Sequence, residues 1–504
     1  MTTKEAFEFF RKKTRESHVL IHAMGVLYYD GDTAAPEESY EGRGETMEYL
    51  SNLLYELETS EELKAAVDFL WAHRDELDFQ QRREVEVFRR GNEYTASIPQ
   101  EEFVAYTSLI NTANAIWHKA KLENDFASFA PYLRQIFETN IRFAGYYKPE
   151  LDPYDVQLDM YEKGLTKEKA DAFFAALKAE IVPLLRRVMQ QPQVDCSCIE
   201  GKVFTANEQR PFSDYLMELI TIDRKRCSLG ETEHPYTTGF NKKDVRITTH
   251  YYERSFLSSM YSVIHEGGHA LYELHSGDEL EGTVLAGGAS MGIHESQSRF
   301  FENLIGRSRA FLTAIFPKLC EYFPKQMEGV TPEQLYRAAN KAEPSLIRTE
   351  ADELTYALHV LVRYEVEKAI FAGELAVEDI PRVWNAKYRE YLGVDVPDDR
   401  HGCLQDSHWA NGNVGYFPSY ALGSAYGAQM LVKMQETVDV YAAVAKGDLH
   451  PIADWLEAHL WKFGQLYDPT ELLENALGAP FDPKYYTDYL KRKFGEIYGL
   501  PAEG

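Results

Sequence analysis

His265, Glu266 and His269 stand in the order HExxH within residues 258–277, SSMYSVIHEGGHALYELHSG. At 3.6 residues per turn the two imidazoles lie one turn apart on one stripe of a helix and can reach one small ion, with Glu266 a residue round. A carboxylate so placed can take a proton from a water at the ion, which is the chemistry of metal-assisted hydrolysis. The helix itself is indicated by Ser258 or Ser259 as N-cap, by Met260, Val263, Ile264, Leu271 and Leu274 as apolar positions, and by Gly277 as a stop. Gly267 and Gly268 oppose it locally, since each costs a helix interior about 1 kcal/mol relative to alanine. Their presence predicts that substrate or another backbone comes close at that point.

HExxH is short, so a metal centre needs a third ligand. Glu273 continues the stripe but lies about 12 Å along the axis from His265, too far for three bonds of about 2 Å to converge. A second element is the better source. Glu295, in GIHESQSRFFEN, follows a stretch containing Gly282, Gly287, Gly288 and Gly292 that can turn the chain back, and it opens another helical pattern. Two imidazoles and a carboxylate with an open fourth position form the catalytic rather than the structural zinc set, and the same ligands accept cobalt or manganese.

The rest of the chain must hold that arrangement in place. With 504 residues and no stretch that reads as a linker, residues 1–504 are expected to form one large domain. At 44% hydrophobic and 13% aromatic the chain can bury a substantial core, and its mean hydropathy of -0.41 fits a soluble protein. A formal charge of -27 argues against nucleic acid or an anionic membrane surface as a partner. The apolar run 19–29 contains His22 and is too short to span a bilayer, and the charged N-terminal residues before it lack the apolar core of a signal peptide. Five cysteines, an odd number, fit a reducing compartment, so a cytoplasmic location is expected. Cys196 and Cys198 form a C-x-C pair without a second pair nearby and read as part of a surface loop.

Residues 1–225 are mostly helical by periodicity, as in 46–57 and 167–189, with turns at 29–38, 148–155 and 190–201. His18 and His22 stand one turn apart with no acid between them and read as packed helix residues. Asp244-Val245-Arg246-Ile247-Thr248-Thr249 alternates as a strand. A strand just before the HExxH helix either offers a free edge to an extended peptide or is an ordinary edge strand of a small sheet. Helical patterns resume at 331–372, 420–446 and 451–463, and 482–500 reads as an amphipathic segment packed on the body. The fold class is therefore mainly α, with a small β-sheet next to the HExxH helix.

Two further stretches carry charge where core is otherwise expected. Arg348 and Asp352 lie one helical turn apart, either as a simple ion pair or with Arg348 free to bind a carboxylate bidentately. The segment 398–420, DDRHGCLQDSHWANGNVGYFPSY, has no clear period and is either a rigid loop at a site or an irregular surface loop. In it, His408, Tyr416 and Tyr420 are donors suited to a developing oxyanion, and Asp406 is of the type that orients a ligand histidine.

Five stretches resemble, in order, the motifs of the carboxypeptidase Taq family, also called thermostable carboxypeptidase 1: DVRIT at 244–248, HEGGH at 265–269, HES at 294–296, IRTEAD at 347–352 and GCLQDSHW at 402–409. The resemblance implies a broadly specific metallocarboxypeptidase with a mostly helical fold, a long groove and a homodimeric state. Carried over by motif, His265, His269 and Glu295 become zinc ligands and Glu266 the general base. Arg348 becomes a candidate for holding the free terminal carboxylate of a peptide substrate, and His234, in EHPYTTGF, and the region from Tyr416 to Tyr420 resemble further groove-lining positions. One stretch departs from the pattern: Tyr29-Asp30-Gly31-Asp32 stands where relatives tend to have a Trp-Asp pair. The rival readings are an oligopeptidase that cuts internal bonds of short peptides and a non-enzymatic zinc or peptide-binding protein, for which Glu266 would be superfluous.

Overall fold

Apolar residues at helical spacing recur along almost the whole chain, and their stripes meet in a continuous core that extends from Ala113 to Tyr498. The computed structural model describes residues 2–501, which form twenty α-helices, short 3-10 turns, one π turn and a three-stranded sheet. A second, smaller core joins the N-terminal helices Thr3–Thr33, Glu61–Ala72 and Phe79–Ser97 through Phe7, Phe10, Leu63, Leu70 and Val85. The helix Tyr40–Glu58 contributes none of the buried residues among those described and leaves Tyr40, Tyr49 and Tyr55 exposed.

The HExxH segment is helix α1, Phe256–Leu274. It begins before Ser258 because Phe256 enters an aromatic cluster with Phe204 and Phe323, at ring distances of 4.5 and 4.9 Å, which makes Ser255 the N-cap. It ends before Gly277, whose N–H donates instead to the Lys462 carbonyl at 3.1 Å. Helix α2, Met291–Arg299, packs on α1 and continues into a buried π turn, Phe300–Gly306, where the Arg307 N–H donates to the Glu302 carbonyl. Ser290 caps α2 by accepting from the Ile293 N–H at 3.1 Å, and the Glu162 carboxylate accepts from the Gly292 N–H at 3.0 Å. Helix α3, Pro418–Met434, also packs on α2.

Glycines make this packing possible. A Cβ at Gly268 of α1 would lie 2.5 Å from the Gln297 carbonyl oxygen and 2.7 Å from the Ser298 Cα, and a Cβ at Gly423 of α3 would lie 2.8 Å from the Glu295 Cβ. Helix α2 is thus held at backbone distance by both neighbours, which accounts for a glycine that weakens α1 as an isolated helix. Gly267 serves the opposite face, where a Cβ would meet the Ile220 Cδ1 at 2.3 Å.

The sheet contains β1 (Cys227–Glu231), β2 (Thr237–Asn241) and β3 (Asp244–Thr249) in the order β1-β3-β2, with β1 parallel and β2 antiparallel to β3. The alternating strand is therefore central and has no free edge, contrary to the expectation of an edge strand. Burial of Val245, Ile247, Thr248 and Thr249 explains its place. The edge strand packed beside α1 is β2.

Three other expectations change. The helix Thr3–Thr33 runs into the first part of the segment read as a turn at 29–38, because Tyr29 packs against Tyr236 and under the Arg246 guanidinium; the break falls at 34–36, inside that segment. The helical reading of 331–372 divides into Pro332–Ala339, a 3-10 turn Arg348–Glu350 and Tyr356–Phe371. Between them Pro344 cannot donate to a helix, and Asp352 accepts from the Glu343, Leu354 and Thr355 N–H groups. Cys196 and Cys198 do lie in a loop, but they are buried in the main core rather than at the surface.

Gly268→Ala is expected to push α2 away from α1 at a cost of about 1–3 kcal/mol. The check is thermal unfolding, in which the variant should melt below the parent chain.

Candidate metal centre and substrate site

One turn of α1 presents the His265 and His269 rings nearly perpendicular to each other, with centroids 5.1 Å apart. Their Nε2 atoms stand 3.7 and 3.4 Å from the Oε2 of Glu295, which α2 brings across from Gly268. Among the described residues these three form the one cluster of His, Cys, Asp or Glu able to hold an ion, with ligand atoms within 4.8 Å of one another. Donors about 2.0–2.2 Å from a shared tetrahedral ion are separated by roughly 3.3–3.5 Å, so the spacing and the two-nitrogen, one-oxygen donor set fit a divalent metal.

The atoms turned away from that centre are also engaged. Nδ1 of His265 lies 2.9 Å from Glu302 Oε2, and Nδ1 of His269 lies 2.7 Å from Nδ1 of His294, whose Nε2 is 2.7 Å from Glu273 Oε1. Arg299 donates through Nε to Glu295 Oε1 at 2.7 Å, and Arg307 donates to Glu302 Oε1 at 3.1 Å. Burial opposes the charge on Glu295, but Arg299 and the two imidazoles overcome it and hold the carboxyl well below the usual range. Glu302 is likewise held low against burial, by Arg299, His265 and Arg307. Glu266 is buried next to His265 in the same helix, and its Oε2 accepts from the Thr237 hydroxyl of β2 at 2.6 Å.

Arg348 forms no pair with Asp352. It sits in the 3-10 turn, 5% exposed, and donates through Nε and Nη2 to Asp406 Oδ1 at 3.1 and 2.8 Å and through Nη1 to the Tyr356 hydroxyl at 2.9 Å. Arg363, fully buried, donates to Asp406 Oδ2 at 2.6 Å. Asp406 therefore secures two arginines rather than orienting a ligand histidine. Gln405 Oε1 joins the same pair, accepting from the Arg348 N–H and from Arg363 Nη2. Burial opposes the Asp406 charge, yet the two guanidinium groups hold its carboxyl far below the usual range.

His408 places Nε2 3.0 Å from the Tyr420 hydroxyl, and burial drives its pKa down to about 4, so its ring is uncharged at neutral pH. Tyr416 stacks on Tyr161 at 4.9 Å and lies 5.0 Å from the Tyr420 ring, which in turn lies 4.9 Å from the Arg348 guanidinium. The segment around GCLQDSHW is thus a built part of the interior. His234 differs: its side chain is exposed in the turn between β1 and β2, where its carbonyl accepts from the Thr232 hydroxyl.

Residues 9–494 match the family described as carboxypeptidase Taq (M32) metallopeptidase. The chain belongs to that family. It is 40% identical to carboxypeptidase 1 of Bacillus subtilis (strain 168) over 98% of both chains, and 35% identical to thermostable carboxypeptidase 1 of Pyrococcus furiosus over 96% of this chain and 97% of that one. Its fold is similar to the crystal structure of the M32 carboxypeptidase from Deinococcus radiodurans R1, with a TM-score of 0.95, 35% identity, and coverage of 98% and 100% of the two chains. Membership in the carboxypeptidase Taq family makes the chain a metallocarboxypeptidase, a peptide hydrolase that works with a divalent metal. The oligopeptidase and non-enzymatic readings are not favoured.

Sequence reasoning missed several residues of this carboxypeptidase Taq centre: Glu302, Arg299, His294 as a partner of His269, Thr237, Tyr356 and Arg363. Arg299 and Glu302 left a readable sign, being charges at i+4 and i+7 from Glu295 within the apolar run RFFENLIG. Thr237 and Arg363 left none, since only tertiary packing brings them to the site.

Removing the shared carboxylate with Asp406→Asn leaves two buried guanidinium groups facing each other, at an expected cost of about 3–5 kcal/mol. Because the Asp406 carboxyl is depressed, its contribution is present above the ordinary carboxylate range and is lost only as pH falls towards its folded-state value. Denaturant unfolding of parent and variant near neutral pH should show the full difference.

Proposed function

We propose that the chain releases amino acids one at a time from the free carboxyl end of peptides, with broad specificity, and that Zn2+ is the ion held by His265, His269 and Glu295. The observation that supports this most is the approach of two Nε2 atoms and one carboxylate oxygen to a common point beside a further carboxylate, Glu266. When bound, the ion supplies Lewis acidity, acidifying a water and polarising the scissile carbonyl. Glu266 takes the proton from the attacking water and passes it to the leaving amine. The Thr237 hydroxyl fixes one oxygen of Glu266 and leaves the other for that exchange. Tyr416, Tyr420 and His408 are the donors for the developing oxyanion; burial pushes the Tyr416 hydroxyl up to about 12, which keeps its proton on at neutral pH.

Arg348 supplies the selection for a chain end. Two guanidinium groups share one aspartate, so the buried cluster carries an excess positive charge that a terminal carboxylate offsets. Arg348 also retains N–H groups beyond those given to Asp406 and Tyr356. His234 enters this reading as an outlying residue of a long groove, on the turn that leads into β2. We also take residues 1–504 as one domain and the cytoplasm as its location, in keeping with five free cysteines and with no helix among the described residues long and apolar enough to cross a membrane. A homodimer is part of the same proposal, supported by the tyrosines that the helix Tyr40–Glu58 leaves uncovered.

Glu266→Gln should retain one metal ion per chain by elemental analysis while turnover falls about 10²–10⁴-fold. A substitution that left the rate unchanged would remove Glu266 from the mechanism. Mass spectrometry of digests should show stepwise loss from the carboxyl end of a free peptide and none from its C-terminally amidated counterpart; equal rates on the two would point to internal cleavage of short peptides instead.

A further inference from the structure

The two imidazoles of α1 are supported in different ways. His265 faces a carboxylate, Glu302, that is itself bound by Arg299 and Arg307. His269 faces another imidazole. Its Nδ1 lies 2.7 Å from Nδ1 of His294, and Nε2 of His294 lies 2.7 Å from Glu273 Oε1. We infer that His294 and Glu273 are positioning residues that fix the tautomer and orientation of His269 and thereby set how tightly the chain holds its metal. This rests on His265, His269 and Glu295 being the ligands.

The assignment follows from counting protons. A histidine that binds metal through Nε2 carries its proton on Nδ1, so at the His269 to His294 contact His269 must be the donor. His294 Nδ1 must then accept and be bare, which places the His294 proton on Nε2, aimed at Glu273. The carboxylate accepts it. Every atom in the chain has one role, and the opposite direction would protonate His269 Nε2 and close it to the ion.

Glu273 is held for this task. Cβ atoms built at Gly239 of β2 and at Gly287 would lie 2.9 and 3.2 Å from its Oε2, so two glycines leave room for the carboxylate. Gly287 has φ of +89°, a conformation other residues rarely adopt, and the Gly288 backbone also bonds the carboxylate. His294 is wedged by the Tyr272 ring at 5.2 Å, and a Cβ at Gly288 would lie 2.5 Å from its ring. Glu273, on the ligand stripe but beyond the reach of the ion, thus acts at one remove.

The test is Zn2+ affinity of the metal-free protein, measured by competition with a chromophoric chelator at fixed neutral pH, with thermal melting of each metal-free variant as control. His294→Phe keeps a ring against Tyr272 but cannot accept from His269, and should weaken binding about 10–100-fold. His294→Asn restores an acceptor at the position of Nδ1 and should recover most of that loss. Parent affinity in His294→Phe, or equal loss in both variants, would overturn the inference. If both His294 variants fail to fold, Glu273→Ala decides: a loss of about tenfold or more supports the inference and parent affinity overturns it. If the parent chain itself takes up no Zn2+, the ligand assignment falls first and this inference with it.

Discussion

An ionised carboxylate in the protein interior is the constraint on which this structure turns. Glu295 has lost its water, and an isolated charge so placed would simply take up a proton. It stays ionised because Arg299, one helical turn on, donates to one oxygen while the imidazoles of α1 face the other. Arg299 in turn lies over the Tyr356 ring at 4.1 Å and reaches Glu302, and Glu302 is held by Arg307. Charges of alternating sign therefore follow α2 and its π turn, each with a partner. The glycines at 268 and 423 let the backbones close around that row.

Beside this balanced row lies an unbalanced one. Arg348 and Arg363 meet a single aspartate, and His408 adds no charge at neutral pH. Tyr356 ties the two together, with its ring under Arg299 and its hydroxyl on Arg348. The row around Glu295, the candidate metal site, pairs its carboxylates with arginines, whereas the cluster around Arg348 sets two guanidinium groups on one carboxylate. That division of labour is electrostatic before it is geometric.

How much of this could be read beforehand follows the range of each interaction. The α1 stripe and the helix bearing Glu295 were legible because helical spacing is local, and of the glycine pair Gly268 does meet another backbone while Gly267 meets the Ile220 side chain. The end of the first helix, the middle position of β3 and the broken course of 331–372 were not, because Tyr29 packing, strand order and the Asp352 cap are decided by partners far away or by a single proline. Arg348 was singled out, but spacing suggested Asp352 as its mate when the true one, Asp406, lies 58 residues on. Asp406 and His408 stood out by residue type; the contacts around them, among them the Trp409 indole's donation to Glu367 at 2.7 Å, became visible only with the fold.

The N-terminal helices keep a small core of their own, built from Phe7, Phe10, Leu63, Leu70 and Val85, apart from the large one that surrounds the candidate metal site. What joins the two is largely polar: Arg83 donates to the Gln465 carbonyl and to Asp468, and Lys163 pairs with Glu86. Loss of those polar ties would therefore be felt first by the smaller apolar cluster, and only afterwards by the one that encloses His265, His269 and Glu295.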